Sequence, residues 1–487
     1  MIEEEFRCAI ADFVEGCQSP ALLEAGADPL ELRPDRYRID VTARGTWLEA
    51  WDDARVWSRR IVGVGAPAGK KLKLEASRFG KKRIPVTIVD TADARSASAI
   101  EKTKRSVLAE QFRLFLNRHF GSWRMEAFRS EANLEDSLSP VFPTALLTRG
   151  QSAVAALAAP PRDTGFHSLT FALIWLDWVK RWHGAIAASR LLLYLPEANS
   201  REVILLARSL DSAKVKVEIC CYAPDGSESW LDPMDAGNLE STLLPRYSRL
   251  MGPAWFVRLI SGFEDVDALE EADGSMSYRV RGLEFARLKG SGNEAPAIKF
   301  GLKRRRVAKE SDAAEIAALI REIGSLRIPE ASKNPVYLAE PERWLEAQVR
   351  RYLAEIDACL LPEFLFGQAL GSLQCERSAV DLLGVDLTGR LGIIELKSAE
   401  DIHLPLQGFD YWLRVSEHLR RGDFAGSGYF PGIELSKEAP RVFLVSPSLH
   451  FHPTTGAILQ WLPPECEMVR VGVNSSWRQR LDTVLRM

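Results

Sequence analysis

Ala379-Val380-Asp381-Leu382-Leu383-Gly384-Val385-Asp386, then Leu387-Thr388-Gly389-Arg390, then Leu391-Gly392-Ile393-Ile394-Glu395-Leu396-Lys397 reads as two apolar runs joined by a turn. Short apolar runs on either side of a glycine-bearing turn predict a β-hairpin. Side chains alternate along a strand, so Glu395 and Lys397 share a face, and antiparallel pairing can bring Asp381 to the same side at the open end. Glu and Lys on a surface strand are commonly solvated rungs. Here Val380, Leu382, Leu383, Ile393 and Ile394 surround the charges with buried-type neighbours.

Working outward, Pro341-Glu342-Arg343-Trp344-Leu345-Glu346 suits a first helical turn, and Leu345, Val349, Tyr352, Leu353 and Ile356 mark one apolar face. Glu346 borders that face, so it lies at its edge or points at a site. Downstream, Leu404 to Leu413 predicts a second helix with Gln407 and Tyr411 stacked at i, i+4. Asp381 and Glu395, helped by Glu346, offer hard oxygen ligands for Mg²⁺. Lys397 would stay cationic beside them, orienting or helping to deprotonate a water and offsetting transition-state charge. The implied reaction is in-line hydrolysis of a phosphodiester.

Glu346 in a leading helix, Asp381, the Glu395-Leu396-Lys397 strand and the Gln407 to Tyr411 helix together resemble the PD-(D/E)XK, restriction-endonuclease-like nuclease superfamily, in particular its RecB-type and archaeal mismatch-endonuclease-like branches. The resemblance covers roughly residues 341 to 447. It implies a mixed central sheet flanked by helices, Mg²⁺ or Mn²⁺ as cofactor, and DNA as the usual substrate. Val380 stands where the family name has proline.

The whole chain of 487 residues suits about three domains. With 46% hydrophobic and 26% charged residues it falls in the globular range, and a net charge of -3 excludes a uniformly basic nucleic-acid coat. The acidic start Met1-Ile2-Glu3-Glu4-Glu5 and the lack of a long apolar run predict a cytoplasmic protein with no membrane partner. Seven scattered cysteines form no CxxC pair, so zinc ribbons and a secreted disulfide framework are disfavoured. His450 and His452 lack clustered acidic or cysteine partners, and Glu400, Asp401 and His403 read as a polar loop with a helix cap.

The expected class is α/β in four parts. Residues 1-95 form a small β-rich module. Within it Lys70, Lys71, Lys73, Arg78, Lys81, Lys82 and Arg83 form a basic run, either a solvated face or a phosphate-tracking patch. The nearby Gly63-x-Gly65-x-x-x-Gly69-Lys70 lacks the spacing and the Ser or Thr of a phosphate loop. Residues 96-250 form a degenerate, inactive nuclease-like domain, 251-340 a β hairpin and helical linker in which strands near Tyr278 to Leu288 and Ala297 to Leu302 are split by the turn-rich Gly290 to Glu294, and 341-487 the nuclease domain. The duplicate rests on self-similarity. Val107 to Leu116 aligns on Trp344 to Leu353, Ala145-Leu146-Leu147 on Asp381-Leu382-Leu383, and Val154 to Ala158 on Ile393 to Lys397. Trp175 to Trp178 aligns on Gly408 to Tyr411, and Arg190 to Pro196 on Arg441 to Pro447. Ala109, Ala145, Ala156, Ala158 and Ile174 then stand at the positions of Glu346, Asp381, Glu395, Lys397 and Gln407.

The resulting expectation is a Mg²⁺-dependent DNA endonuclease, with RNA left open as a substrate and monomer and homodimer both open. The alternative is a non-catalytic nucleic-acid-binding or assembly protein with a structural charge cluster.

Overall fold

A computed structural model describes the chain apart from residues 1, 25–28, 44, 52–55, 79–81, 132–136, 162, 164–165, 184–187, 198–199, 236–243, 245, 247–249, 272, 292–293 and 370–379. It is a mixed α/β protein with four sheets, in two compact units.

The first unit spans Met1–Ser200 and Lys216–Pro233. Helix α1 (Ile2–Glu15) lies on a seven-stranded antiparallel sheet of β1 (Pro20–Glu24), β2 (Leu30–Glu31), β3 (Tyr37–Thr42), β4 (Gly45–Trp51), β5 (Val56–Val64), β6 (Lys71–Arg78) and β7 (Lys82–Asp90). Alternation along β6 turns Leu72, Leu74 and Ala76 inward onto Ile10 and Val14 of α1. The same unit then builds α2 (Ala94–His119), β8 (Arg124–Arg129), β9 (Thr144–Arg149), β10 (Ser152–Ala158), α3 (Phe166–Trp182), β11 (Ala188–Pro196), β12 (Lys216–Tyr222) and β13 (Glu228–Leu231). These six strands lie in the order 13-12-11-10-9-8, parallel at 10-11 and 11-12 and antiparallel elsewhere. Phe112 and Phe115 of α2 pack on one face, against Ala145, Ala156 and Tyr194.

The second unit spans Arg201–Val215 and Met234–Met487. After α4 (Ser200–Ser209) and α5 (Ala254–Ile260) comes an antiparallel sheet of β14 (Val266–Glu270), β15 (Met276–Val280), β16 (Leu283–Ser291), β17 (Glu294–Phe300) and β18 (Arg306–Val307), covered by α6 (Ala313–Leu326). The stretch expected to be a hairpin and linker is therefore a five-stranded sheet with its own core, and what read as one strand from Tyr278 to Leu288 is two. The break is at Arg281 and Gly282, both at positive φ (46° and 83°), the backbone of a tight two-residue hairpin turn. Arg281 is not a glycine, which hid the turn. Of the expected turn at Gly290 to Glu294, Gly292 and Asn293 lie outside the described residues.

The chain continues through α7 (Pro335–Leu338), α8 (Pro341–Arg351) and α9 (Leu353–Ile356) into β19 (Phe366–Ala369), β20 (Val380–Val385), β21 (Leu391–Leu396), α10 (Leu404–Arg421), α11 (Asp423–Gly426), β22 (Arg441–Pro447), α12 (Thr455–Leu459), β23 (Met468–Val473) and β24 (Thr483–Arg486). The expected single helix from Pro341 breaks at Tyr352, whose φ and ψ of -115° and 41° leave the helical range. Trp344, Leu345 and Val349 of α8 bury against Leu382, Ile394 and Leu396 on one sheet face. On the other face α10 comes so close that a Cβ on Gly408 would lie 2.7 Å from Leu444 Cδ2.

The last sheet runs 19-20-21-22-23-24, again parallel only at its two central pairs, 21-22 and 22-23. It has the pairing pattern of the six-stranded sheet of the first unit, with a helix between the third and fourth strands in each. Equating the sheets strand for strand corrects the expected alignment by one residue. The Ala159 N–H donates to the Tyr194 carbonyl at 2.9 Å, as the Lys397 N–H donates to the Val445 carbonyl at 3.0 Å. Ala156 pairs with Leu192 as Ile394 pairs with Phe443. The positions matching Asp381, Glu395 and Lys397 are thus Thr144, Leu157 and Ala159 rather than Ala145, Ala156 and Ala158. None is an acid or a base.

Candidate active site

The expected hairpin β20–β21 forms, with Leu382 opposite Ile394 and Leu383 opposite Ile393. Its turn is held by Asp386, whose Oδ1 accepts from the Thr388 and Arg390 N–H groups at 2.8 and 3.0 Å. Leu382, Ile394 and Leu396 face α8, so alternation sends Asp381, Glu395 and Lys397 to the opposite face. The Asp381 Oδ2 accepts from the Leu396 N–H at 2.9 Å, and the Lys397 Nζ lies 3.2 Å from Glu395 Oε1.

Glu395 is buried, and its Oε2 has no hydrogen-bond partner among the described residues. Asp381 beside it could satisfy that oxygen only if one of the two carboxyls were protonated. Burial, and then Asp381, push Glu395 well above the usual carboxylate range, while burial and the Glu346 charge raise Asp381 to about 6. Burial alone would lower Lys397, but Glu395, then Glu342, Asp381 and Asp401, carry it above the ordinary lysine range. It is an ammonium at neutral pH. Orienting water is within its reach, and accepting a proton is not.

Glu346 is brought to the neighbourhood but not into a cage. It projects from α8, where Arg343 Nη1 lies 2.8 Å, Arg350 Nη2 3.0 Å and Arg279 Nη1 3.4 Å from its oxygens. Burial opposes ionisation, yet Arg350, Arg279 and Arg343 together hold Glu346 below the usual carboxylate range. Among the described residues no group of three or more His, Cys, Asp and Glu side chains is placed to hold a metal. Metal-binding capacity rests on the Asp381 and Glu395 pair, hard oxygens of which one is unpartnered. A divalent cation fits that donor set.

Tyr411 is buried, and burial with the charges of Glu395 and Asp381 raises its phenol above the usual range, so α10 sets it against the carboxylates. Gln407 lies one turn earlier, its Oε1 buried and without a partner among the described residues. Asp401 Oδ1 accepts from the His403 N–H at 2.8 Å in a turn just before α10, which has no side-chain cap hydrogen bond at its N-terminus, so the expected cap does not form. His450 meets the Ser398 carbonyl and His452 lies 3.9 Å from Glu400.

Sequence reasoning missed Arg279, Glu271, Arg343 and Arg350. The last two were readable, being i-3 and i+4 to Glu346 on one helix. Arg279 was not, because it lies on β15 inside the stretch taken for one long strand. Arg279 pairs with Glu271, and both line a cleft of about 650 Å³ with Arg343, Glu346, Asp381 and Ser398.

In the N-terminal module the basic run is partly spoken for. The Lys70 ammonium lies 3.2 Å from Asp90 and Arg83 3.1 Å from Glu75, while Lys73 is exposed and Lys71 half-buried. Arg78 and Lys82 pair by backbone across β6 and β7, and Lys81 lies outside the described residues.

No family model matches the chain, and no curated protein matches it. Among solved structures, the crystal structure of a repair endonuclease from Pyrococcus abyssi is similar at 12% identity, covering 46% of this chain and 96% of that one at a TM-score of 0.17. Among the described residues no helix is long and apolar enough to cross a membrane.

Proposed function

We propose that the second unit is a divalent-metal-dependent nuclease that hydrolyses phosphodiester bonds in DNA, with the restriction-endonuclease-like arrangement that its motif resembles. The observation that carries this reading is the buried pair Asp381 and Glu395, both raised above the usual carboxylate range, with an unpartnered Glu395 oxygen and an ammonium 3.2 Å from the other oxygen. Two like charges in a buried site stay ionised together only with a cation between them. Mg²⁺ or Mn²⁺ held by Asp381 and Glu395 would supply Lewis acidity toward a phosphoryl oxygen and acidify a bound water.

The chain's own residues do the rest. The Leu396 N–H fixes the Asp381 carboxylate, and Lys397 orients the attacking water and offsets negative charge as the new P–O bond forms and the bond to the leaving oxygen breaks. Tyr411 and Gln407 brace the carboxylates from α10.

Labelled linear, nicked and single-stranded oligonucleotides, with and without Mg²⁺, Mn²⁺ and EDTA, test the reading. Cleavage in the metals, absent in EDTA and in Asp381→Asn and Glu395→Gln, is expected. Metal-independent cleavage, or full activity in both variants, overturns it.

A further inference from the structure

Strands β21, β22 and β23 run parallel, and Glu395 and Lys397 stand at the carboxyl end of β21, the end at which α/β sheets hold their ligands. The chain leaving β22 at that same end makes a short helical turn, Ser448–His450, with Leu449 at its centre. Leu449 is 90% exposed, the highest value for a large hydrophobic side chain among the described residues. A lone exposed leucine is ordinary on a protein surface, so its position has to distinguish this one. The backbone beneath it is held at three points. Pro447 is buried with a φ of -53°, Ser448 lies so close to β23 that a Cβ on Gly472 would come to 3.0 Å from its Cβ, and His450 Nδ1 donates to the Ser398 carbonyl at 3.1 Å. Ser398 follows Lys397 and lines the cleft with Asp381, so the turn is tied to the rim of the candidate active site.

Resting on the nuclease reading, we propose that Leu449 is a wedge that enters the base stack of double-stranded DNA beside the scissile phosphate, and that the substrate is a duplex opened at that step. Glu400 and Asp401 lie on the loop that follows Ser398, and Glu400 is 3.9 Å from the His452 ring, just beyond the turn. Acids at this rim repel phosphate and leave the uncharged face of a base as the partner for an apolar tip. An apolar side chain pushed between base pairs unstacks them and kinks the duplex. A tip whose backbone is already fixed loses little conformational freedom in doing so, and it buries a leucine that folding leaves in water. The kinked step then offers its phosphate to Asp381, Glu395 and Lys397.

The test uses the full chain and one DNA sequence supplied as duplex and as single strand, with the cut position mapped on the wild type. Leu449→Ala should lower kcat/KM on the duplex by about 10-fold and leave any single-strand cleavage within about twofold, since only the duplex has a stack to enter. Leu449→Met should keep most of the duplex rate, and Leu449→Asp should lose more than Leu449→Ala. All three should melt with the wild type, because the side chain is exposed. A duplex carrying 2-aminopurine at the mapped step, bound in Mg²⁺ by Glu395→Gln protein, should brighten as the base unstacks, and should stay dim with the Glu395→Gln, Leu449→Ala double variant. A wild type that cuts duplex no faster than Leu449→Ala, with equal brightening in the two bound complexes, overturns the wedge and leaves the nuclease reading standing. So does a wild type that cuts single strands alone. A wild type that cuts nothing overturns both.

Discussion

At Lys397 the ammonium touches one oxygen of Glu395, and neighbouring acids hold it charged. Lys397→Ala should therefore lower turnover by roughly 10²–10³-fold with metal affinity retained, because it removes a charge interaction and no ligand. Lys397→Arg should rescue poorly, a planar fork being no substitute for a point charge. Calorimetry with Mn²⁺ checks the division of roles, and loss of metal binding in Lys397→Ala would refute it. The carboxylates make a second prediction. Their pKa values are raised on folding, so the native state binds more protons than the unfolded chain between the usual aspartate value and about 6. The contribution of this pair to stability without divalent ions should then be greatest at acid pH and fall as pH rises through that window, by roughly 3 kcal/mol at most for Asp381. Denaturant melts of wild type against Asp381→Asn from pH 4 to 7 should converge at pH 4 and separate at pH 7, with Asp381→Asn the more stable. Mg²⁺ should close the gap.

Among the elements, the β15–β16 turn at Gly282 meets the backbone of α8 at Arg343 and Trp344. Gly282 has a φ of +83° and no room for a Cβ against the Arg343 carbonyl, so Gly282→Ala should cost about 2–4 kcal/mol from strain and displacement together. A melt of the variant measures it, and an unchanged midpoint would mean that α8 is free to shift. This contact also marks where the sequence was opaque. The hairpin β20–β21 and the helices carrying Glu346 and Gln407 were legible because apolar runs, a turn and i, i+4 spacing are local signals. Arg279 reaches Glu346 from 67 residues away, and no local pattern encodes that distance. The one-residue error in aligning β10 has a different cause. Ala153 to Ala158 is buried on both faces, so its periodicity carries no parity, and only the packing of Ala156 and Ala158 on α2 decides which residues face the other way.

At the level of the molecule, two six-stranded sheets share a pairing pattern, and one carries the acids. With Thr144, Leu157 and Ala159 at the matching places in the other, the two sheets hold one candidate set of carboxylates among the described residues, so under the proposed function a monomer should nick supercoiled plasmid and accumulate open circles before linear product. Linear product with no nicked intermediate from a strictly monomeric preparation would place a second site elsewhere in the chain. The Gly282 turn bears on how the sheet that carries Asp381 and Glu395 could be separated from the rest. A fragment beginning at Pro341 would keep both carboxylates and Lys397 yet lose Arg279, leaving Glu346 one guanidinium short and uncovering the side of α8 that the turn now seats. A fragment that keeps Arg279 and this turn therefore starts ahead of α5, near Pro253, about ninety residues before Pro341.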